Sequence, residues 1–145
     1  MARTFTVDAS VFLNAFNPYE AGSEISNRFL AALQQDALPV IVPTLLLPEV
    51  AAAVGRGRGD AALARDFAHA LARLPHLILV PLDAALASQA VHVAAGHRLR
   101  GSDAVYAAVA LRFGTTLVTL DREQRQRVSD VITTRTPAQA LDAFS

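Results

Sequence analysis

Short apolar, β-prone runs alternate along this chain with segments of helical periodicity, and that alternation constrains the fold most. Phe5 to Val7, Val40-Ile41-Val42, Leu77 to Val80 and Thr116 to Leu120 read as buried strands, with Val131-Ile132-Thr133 as a possible fifth. Between them, Ala21 to Gln35 carries Ile25, Phe29 and Leu33 at i, i+4, i+8, one face of a helix. A helix carrying Glu49 should run through Val54 until Gly55-Arg56-Gly57-Arg58-Gly59 breaks it into a hinge-like loop. Asp60 is placed to cap a helix with Leu63, Phe67 and Leu71 on one face, and Asp83 one over Ala84 to Ala95, stopped by Gly96. Ser102 is the expected N-cap of a helix over Asp103 to Arg112, closed by Gly114. An Arg-rich helix follows Asp121, and Thr136-Pro137 opens a terminal one. The order β-α-α-β-α-α-β-α-α-β-α-β-α predicts an α/β fold. Its strands form a central parallel sheet of four to five, covered on both faces.

With 145 residues the chain fits one domain, 1–145, and 52% apolar residues suffice to fill a core. It has no cysteine, which excludes a disulfide framework and thiolate metal sites. The N-terminus lacks the apolar run of an export signal, and the uncharged stretch from Ala37 to Pro48 holds three prolines and is too short for a membrane span. The expectation is a cytoplasmic protein without a membrane. Formal net charge is zero, so bulk charge predicts no strong non-specific nucleic-acid binding. All basic residues are Arg, the better bidentate phosphate ligand.

Four of the acidic residues stand apart. Asp8 and Asp121 each end an apolar run, and the crevice outside the carboxyl ends of a parallel sheet is where ligands bind. An Asp at such a turn can equally serve as a cap for backbone N–H groups. Asp103 lies in the first turn of a helix, where the dipole favours a carboxylate. Glu49 is the one charge between Ala37 and Val54, a setting that is costly unless the charge is paired or metal-bound. Pro48 before it fits a helix that starts at Pro48, with Glu49 in the first turn. Carboxylate oxygens are hard ligands suited to Mg²⁺ or Mn²⁺, and four could serve one or two ions.

Other chemistries find no support. His69, His76, His92 and His97 include no i, i+4 pair, so a helical zinc site is excluded and a surface or structural role is expected. The Gly-Arg-Gly-Arg-Gly segment lacks the Gly-Lys-Ser/Thr ending of a phosphate loop. No Gly-x-Ser-x-Gly elbow is present.

These residues give the chain its resemblance to the PIN-domain family, and within it to the VapC-like toxins of toxin–antitoxin pairs. Thr6-Val7-Asp8-Ala9-Ser10 resembles the family's first motif and Pro43 to Val54 its second, with the acid at Glu49. Gly101-Ser102-Asp103-Ala104-Val105-Tyr106 is similar to the third, and Gly114 to Asp121 to the fourth. The resemblance implies a single PIN-like domain and an endoribonuclease dependent on Mg²⁺ or Mn²⁺. Asp8, Glu49, Asp103 and Asp121 would be its metal-binding and catalytic residues, with Ser10 and Thr119 in support. It also implies an RNA substrate, a homodimer and a cognate antitoxin. Arg98, Arg100, Arg122, Arg125 and Arg127 are candidate RNA contacts beside the acids. Val11, Phe12, Phe16 and the helix from Ala21 to Gln35 would form either an apolar groove for the antitoxin or ordinary core. The alternatives are a PIN-fold nuclease without an antitoxin, acting in RNA processing or on structured DNA, and a non-catalytic binding or dimerisation module.

Overall fold

A computed structural model describes residues 3–144. Five strands form one parallel sheet in the order β3-β2-β1-β4-β5: β1 is Phe5–Val7, β2 Val40–Pro43, β3 Leu77–Val80, β4 Thr116–Val118 and β5 Thr134–Arg135. Parallel neighbours need crossovers, and the helices supply them. These are α1 (Ala9–Phe16), α2 (Ser23–Gln35), α3 (Leu46–Arg58), α4 (Ala61–Ala72), α5 (Ala84–His97), α6 (Gly101–Phe113), α7 (Arg122–Val128) and α8 (Pro137–Asp142). The order of elements is the one predicted. Among the described residues no helix is long and apolar enough to cross a membrane.

The core lies where the sheet meets α1, α2 and α6. Val7, Val42 and Leu117 are fully buried, as are Phe29, Leu33 and Val109. Val11 and Phe12 are buried in this core too, and Phe16 packs against Phe67 with ring centroids 4.5 Å apart. Val11 is therefore interior packing and Phe16 is half-buried, while Phe12 lines a cleft of about 200 Å³ with Asn27, Leu30, Ala31 and Gln34 of α2, so both readings of this segment hold in part. Helix α6 buries an unbroken run from Ala104 to Ala110, so it is a central helix, apolar on all sides.

Several boundaries differ from expectation. The Gly-Arg-Gly-Arg segment is not a loop: α3 continues through it and ends at Gly59, whose φ of +62° is the left-handed cap that glycine accepts. Packing overrides propensity here. A Cβ on Gly55 would stand 3.7 Å from the Cβ of Ala64, an ordinary contact distance, so α4 packs against this part of α3, and Arg56 and Arg58 meet the negative end of the helix dipole. Helix α3 also starts at Leu46, before Pro48. The proline falls in the first turn, where its missing N–H costs no helical bond. Helix α5 passes Gly96, and Arg98, not a glycine, takes the left-handed position at φ +57°. Helix α6 begins at Gly101 with Arg100 rather than Ser102 at its N-cap. Strand β4 stops at Val118, short of Leu120. Val131 and Ile132 turn back onto the Val128 carbonyl, and the last strand forms one step later, at Thr134–Arg135.

Candidate active site

Asp8 is the first residue after β1 and caps α1. Its Oδ1 accepts the Ser10 N–H at 3.1 Å and the Ser10 hydroxyl, and its Oδ2 accepts the Thr119 hydroxyl at 2.6 Å. Ser10 and Thr119 also hold the turn after β4. The Leu120 N–H donates to Ser10 Oγ at 3.1 Å, and the Asp121 N–H to Thr119 Oγ1 at 3.0 Å. Two hydroxyls thus tie the carboxyl end of β1 to that of β4. Asp8 is only 5% exposed, and burial, with a smaller push from Asp103, outweighs these hydrogen bonds and raises its carboxyl to about 6.

Asp103 comes from the first turn of α6 and Asp121 caps α7, accepting the Gln124 N–H at 3.1 Å. Arg100 spans both: its Nε donates to Asp103 Oδ2 at 3.3 Å and its Nη2 to Asp121 Oδ2 at 3.1 Å. Burial raises the Asp103 carboxyl, Arg100 pulls it down, and Asp121 and then Glu123 push it up. Glu49, on α3, accepts the Tyr106 hydroxyl at 2.6 Å; burial raises it, the tyrosine lowers it, and Asp103 adds a further push. Tyr106 is held far above the ordinary phenol range by burial and by Glu49.

The four acids are thus neighbours, with Asp103 felt by both Asp8 and Glu49 and itself feeling Asp121. They do not form the single shared pocket expected of them. Among the described residues no group of three or more His, Asp or Glu side chains is placed to hold a metal ion. Both Asp8 oxygens accept hydroxyls, whereas Tyr106 takes only Oε1 of Glu49 and Arg100 only the Oδ2 atoms of Asp103 and Asp121. A cleft of about 200 Å³ is lined by Arg100, Asp103, Asp121 and Gln124 among others, with Asp8 and Glu49 outside its lining. The donor set nonetheless suits a hard divalent cation. It is all oxygen, and the one cation seated between two of its members, Arg100, occupies the place that attracts positive charge.

Of the expected arginines, Arg100 alone touches the acids. Arg125 donates to the Thr119 carbonyl at 2.7 Å. Arg127 is spent on structure, pairing with Glu123 and donating to the Arg98 carbonyl, while His97 Nδ1 lies 3.0 Å from the Arg127 carbonyl. Arg98 and Arg122 are exposed.

Two residues escaped the sequence reading. Tyr106 lies one helical turn after Asp103, a spacing that could have placed it beside the site. Gln124 is fully buried; its Nε2 donates to the Asp103 carbonyl at 3.2 Å and its Oε1 has no partner. An Asp followed three residues later by Gln is a capping pattern that could have flagged it.

An open parallel sheet with acids at the ends of its central strands is the frame of an α/β domain that uses carboxylates at its carboxyl edge. The chain belongs to the PIN domain family, whose model matches residues 5–129. Its fold is similar to that of VapC20 from Mycobacterium tuberculosis, a toxin described as cleaving the sarcin–ricin loop: 21% identity, 85% of this chain and 93% of that one, TM-score 0.72. It is also similar to PAE2754 from Pyrobaculum aerophilum, at 23% identity, 99% and 97% coverage and TM-score 0.69. VapBC2 from Rickettsia felis, bound to a DNA fragment from its promoter, matches at 12% identity, 92% and 98% coverage and TM-score 0.67. A search of curated proteins finds no match.

Proposed function

We propose that this chain is a divalent-metal-dependent endoribonuclease and the toxin of a VapBC-type toxin–antitoxin pair. The observation that carries the nuclease reading is that Asp8, Glu49, Asp103 and Asp121 lie near one another from four separate segments, with three of their carboxyls raised by burial and by a neighbouring acid. Asp8, Asp103 and Asp121 would hold Mg²⁺ or Mn²⁺, with Glu49 beside them. When bound, the ion acidifies a water and polarises the phosphoryl oxygen.

The chain's own residues do the rest. Ser10 and Thr119 fix the Asp8 carboxylate by its two oxygens, and Gln124 fixes Asp103 through its carbonyl and Asp121 through a backbone N–H. Glu49, whose carboxyl is raised by burial and which Tyr106 aims, accepts the proton of the attacking water. In-line attack then leaves a 5′-phosphate and a 3′-hydroxyl. Arg100, next to two of the acids and largely exposed, is free to turn to a phosphate of the RNA. The toxin role draws support from the likeness to VapC20, described as a toxin, and the antitoxin partner from the likeness to a toxin–antitoxin complex from Klebsiella pneumoniae, while the homodimer is proposed from the family resemblance alone. A cytoplasmic location is part of the same proposal.

The test is cleavage of RNA, single-stranded DNA and flap DNA by the purified protein with Mg²⁺ or Mn²⁺. Asp8→Ala and Asp103→Ala should each lose RNA cleavage by about 100-fold or more while keeping their circular-dichroism spectra. Full activity in either variant would overturn the assignment, and cleavage of DNA alone would overturn the substrate. Co-purification of the chain with the product of an adjacent small reading frame, and loss of cleavage in that complex, tests the toxin role.

A further inference from the structure

The chain has no net charge, yet its charges are not evenly spread around the site. Two clefts lie away from the acids. The first, about 330 Å³, is lined by Arg125, Gln126, Ser129, Thr134, Arg135 and Gln139. The second, about 520 Å³, shares Arg135 and Gln139 with it and continues past Thr133, Thr116 and Thr4 to Arg3. Neither is lined by an acidic residue. They form one trough along the β5 edge of the sheet, with arginines at its start, middle and end and hydroxyls between. Arg125 joins the trough to the acid site, because its guanidinium donates to the carbonyl of Thr119, whose hydroxyl holds Asp8. Arg3 and Arg135 are each preset: Arg3 lies 5.7 Å over the Phe144 ring, and Arg135 donates to the Thr134 carbonyl at 2.7 Å. A guanidinium held in place on one side loses less freedom when it takes a phosphate on the other.

We infer that this trough is a binding track for single-stranded RNA, which guides the strand flanking the scissile phosphate away from the acid site along β5. The inference rests on the ribonuclease reading and names how its substrate is held. Charge complementarity selects the occupant: three arginines and no acids suit a phosphodiester chain. Each cleft is of small-ligand size, which suits nucleotides in single file rather than a duplex. A protein strand added to the sheet is disfavoured, because β5 offers only two residues of edge.

The experiment compares affinities of the full chain for labelled single-stranded RNA of about 4 and about 16 nucleotides, by fluorescence anisotropy in EDTA. The longer RNA should bind more tightly. In the Arg3→Gln, Arg135→Gln double variant that length-dependent gain should fall by roughly tenfold, and the slope of log affinity against log salt by about 1.4. Arg65→Gln, on α4, should leave both unchanged. Because Arg3 also packs on Phe144, Arg135→Gln alone is measured too and should lose about half of the slope change. No length-dependent gain in the unmodified protein, or a gain that survives both variants, overturns the track; an acidic peptide as the true occupant would give the first of these. Either outcome leaves RNA cleavage and its loss in Asp8→Ala intact, so failure of the track is distinct from failure of the nuclease reading.

Discussion

A buried carboxyl raised to about 6 makes Asp8 a net burden on the fold at neutral pH. The group binds its proton more tightly folded than unfolded, where its value is 3.8. Its contribution is therefore full below that value and lost as pH rises through about 6. The loss amounts to roughly 3 kcal/mol at most. Asp8→Asn keeps an oxygen to cap α1 but cannot ionise. In EDTA, urea melts should show wild type and variant alike near pH 4 and the variant more stable at pH 8; parallel pH curves would refute this. The same substitution should abolish cleavage, so stability and activity move in opposite directions. Tyr106→Phe acts on the other carboxyl. It removes the 2.6 Å hydrogen bond that lowers Glu49, so Glu49 should ionise at higher pH. The acidic limb of the kcat/KM profile for RNA cleavage should move up in pH, while the fold loses about 1 kcal/mol. An unmoved limb would exclude Glu49 as the proton acceptor.

Elements were legible in the sequence wherever the signal was local. Asp60, Asp83 and Thr136 cap helices as their spacing predicts, each accepting the N–H three residues on. The runs around Val7 and Val42 became strands because consecutive apolar residues suit a sheet covered on both faces, whereas Leu77–Val80, read as a buried strand, lies at the sheet edge with Ile78 exposed. The errors fell where tertiary packing outweighs local preference. Gly55 and Gly57 read as breakers, but the contact with α4 holds α3 straight through them. That separates three glycines by role. Gly57 is helical with open space around a would-be Cβ, so Gly57→Ala should stabilise by about 0.5–1 kcal/mol and raise Tm by roughly 2–4 °C. Gly59 has open space too, but its φ of +62° makes Gly59→Ala destabilising by about 1–2 kcal/mol. Scanning calorimetry of the pair checks the assignment; an equal shift in both would mean that α3 ends earlier than Gly59.

At the scale of the whole molecule, the sequence shows which acids stand apart but not what they touch. Asp8 and Asp121 were readable because each ends an apolar run, whereas the bond from Thr119 to Asp8 spans 111 positions and that from Tyr106 to Glu49 spans 57. Arg100 shows the same limit. It read as an RNA contact, and its bonds to Asp103 and Asp121 depend on how the α5–α6 turn meets α7. That turn is fixed by Arg127 and His97, around a residue at positive φ. The fold thus holds a cation against two acids that a divalent ion would need, and the two cannot occupy the same oxygens. Metal binding through these two Oδ2 atoms would therefore be an exchange, in which Arg100, 80% exposed, gives up both carboxylates and turns toward solvent or substrate. Arg100→Ala removes the competitor. In EDTA the variant should melt below wild type, because Asp103 and Asp121 face each other unscreened. With Mn²⁺ the order should narrow or invert, since binding to the folded state raises Tm according to affinity, and calorimetric titration should give a lower Kd for the variant. Arg112→Ala, at the far end of α6, should leave the Mn²⁺-induced rise in Tm at the wild-type value. If Arg100→Ala also leaves it there, the guanidinium and the ion use different oxygens and the exchange does not occur.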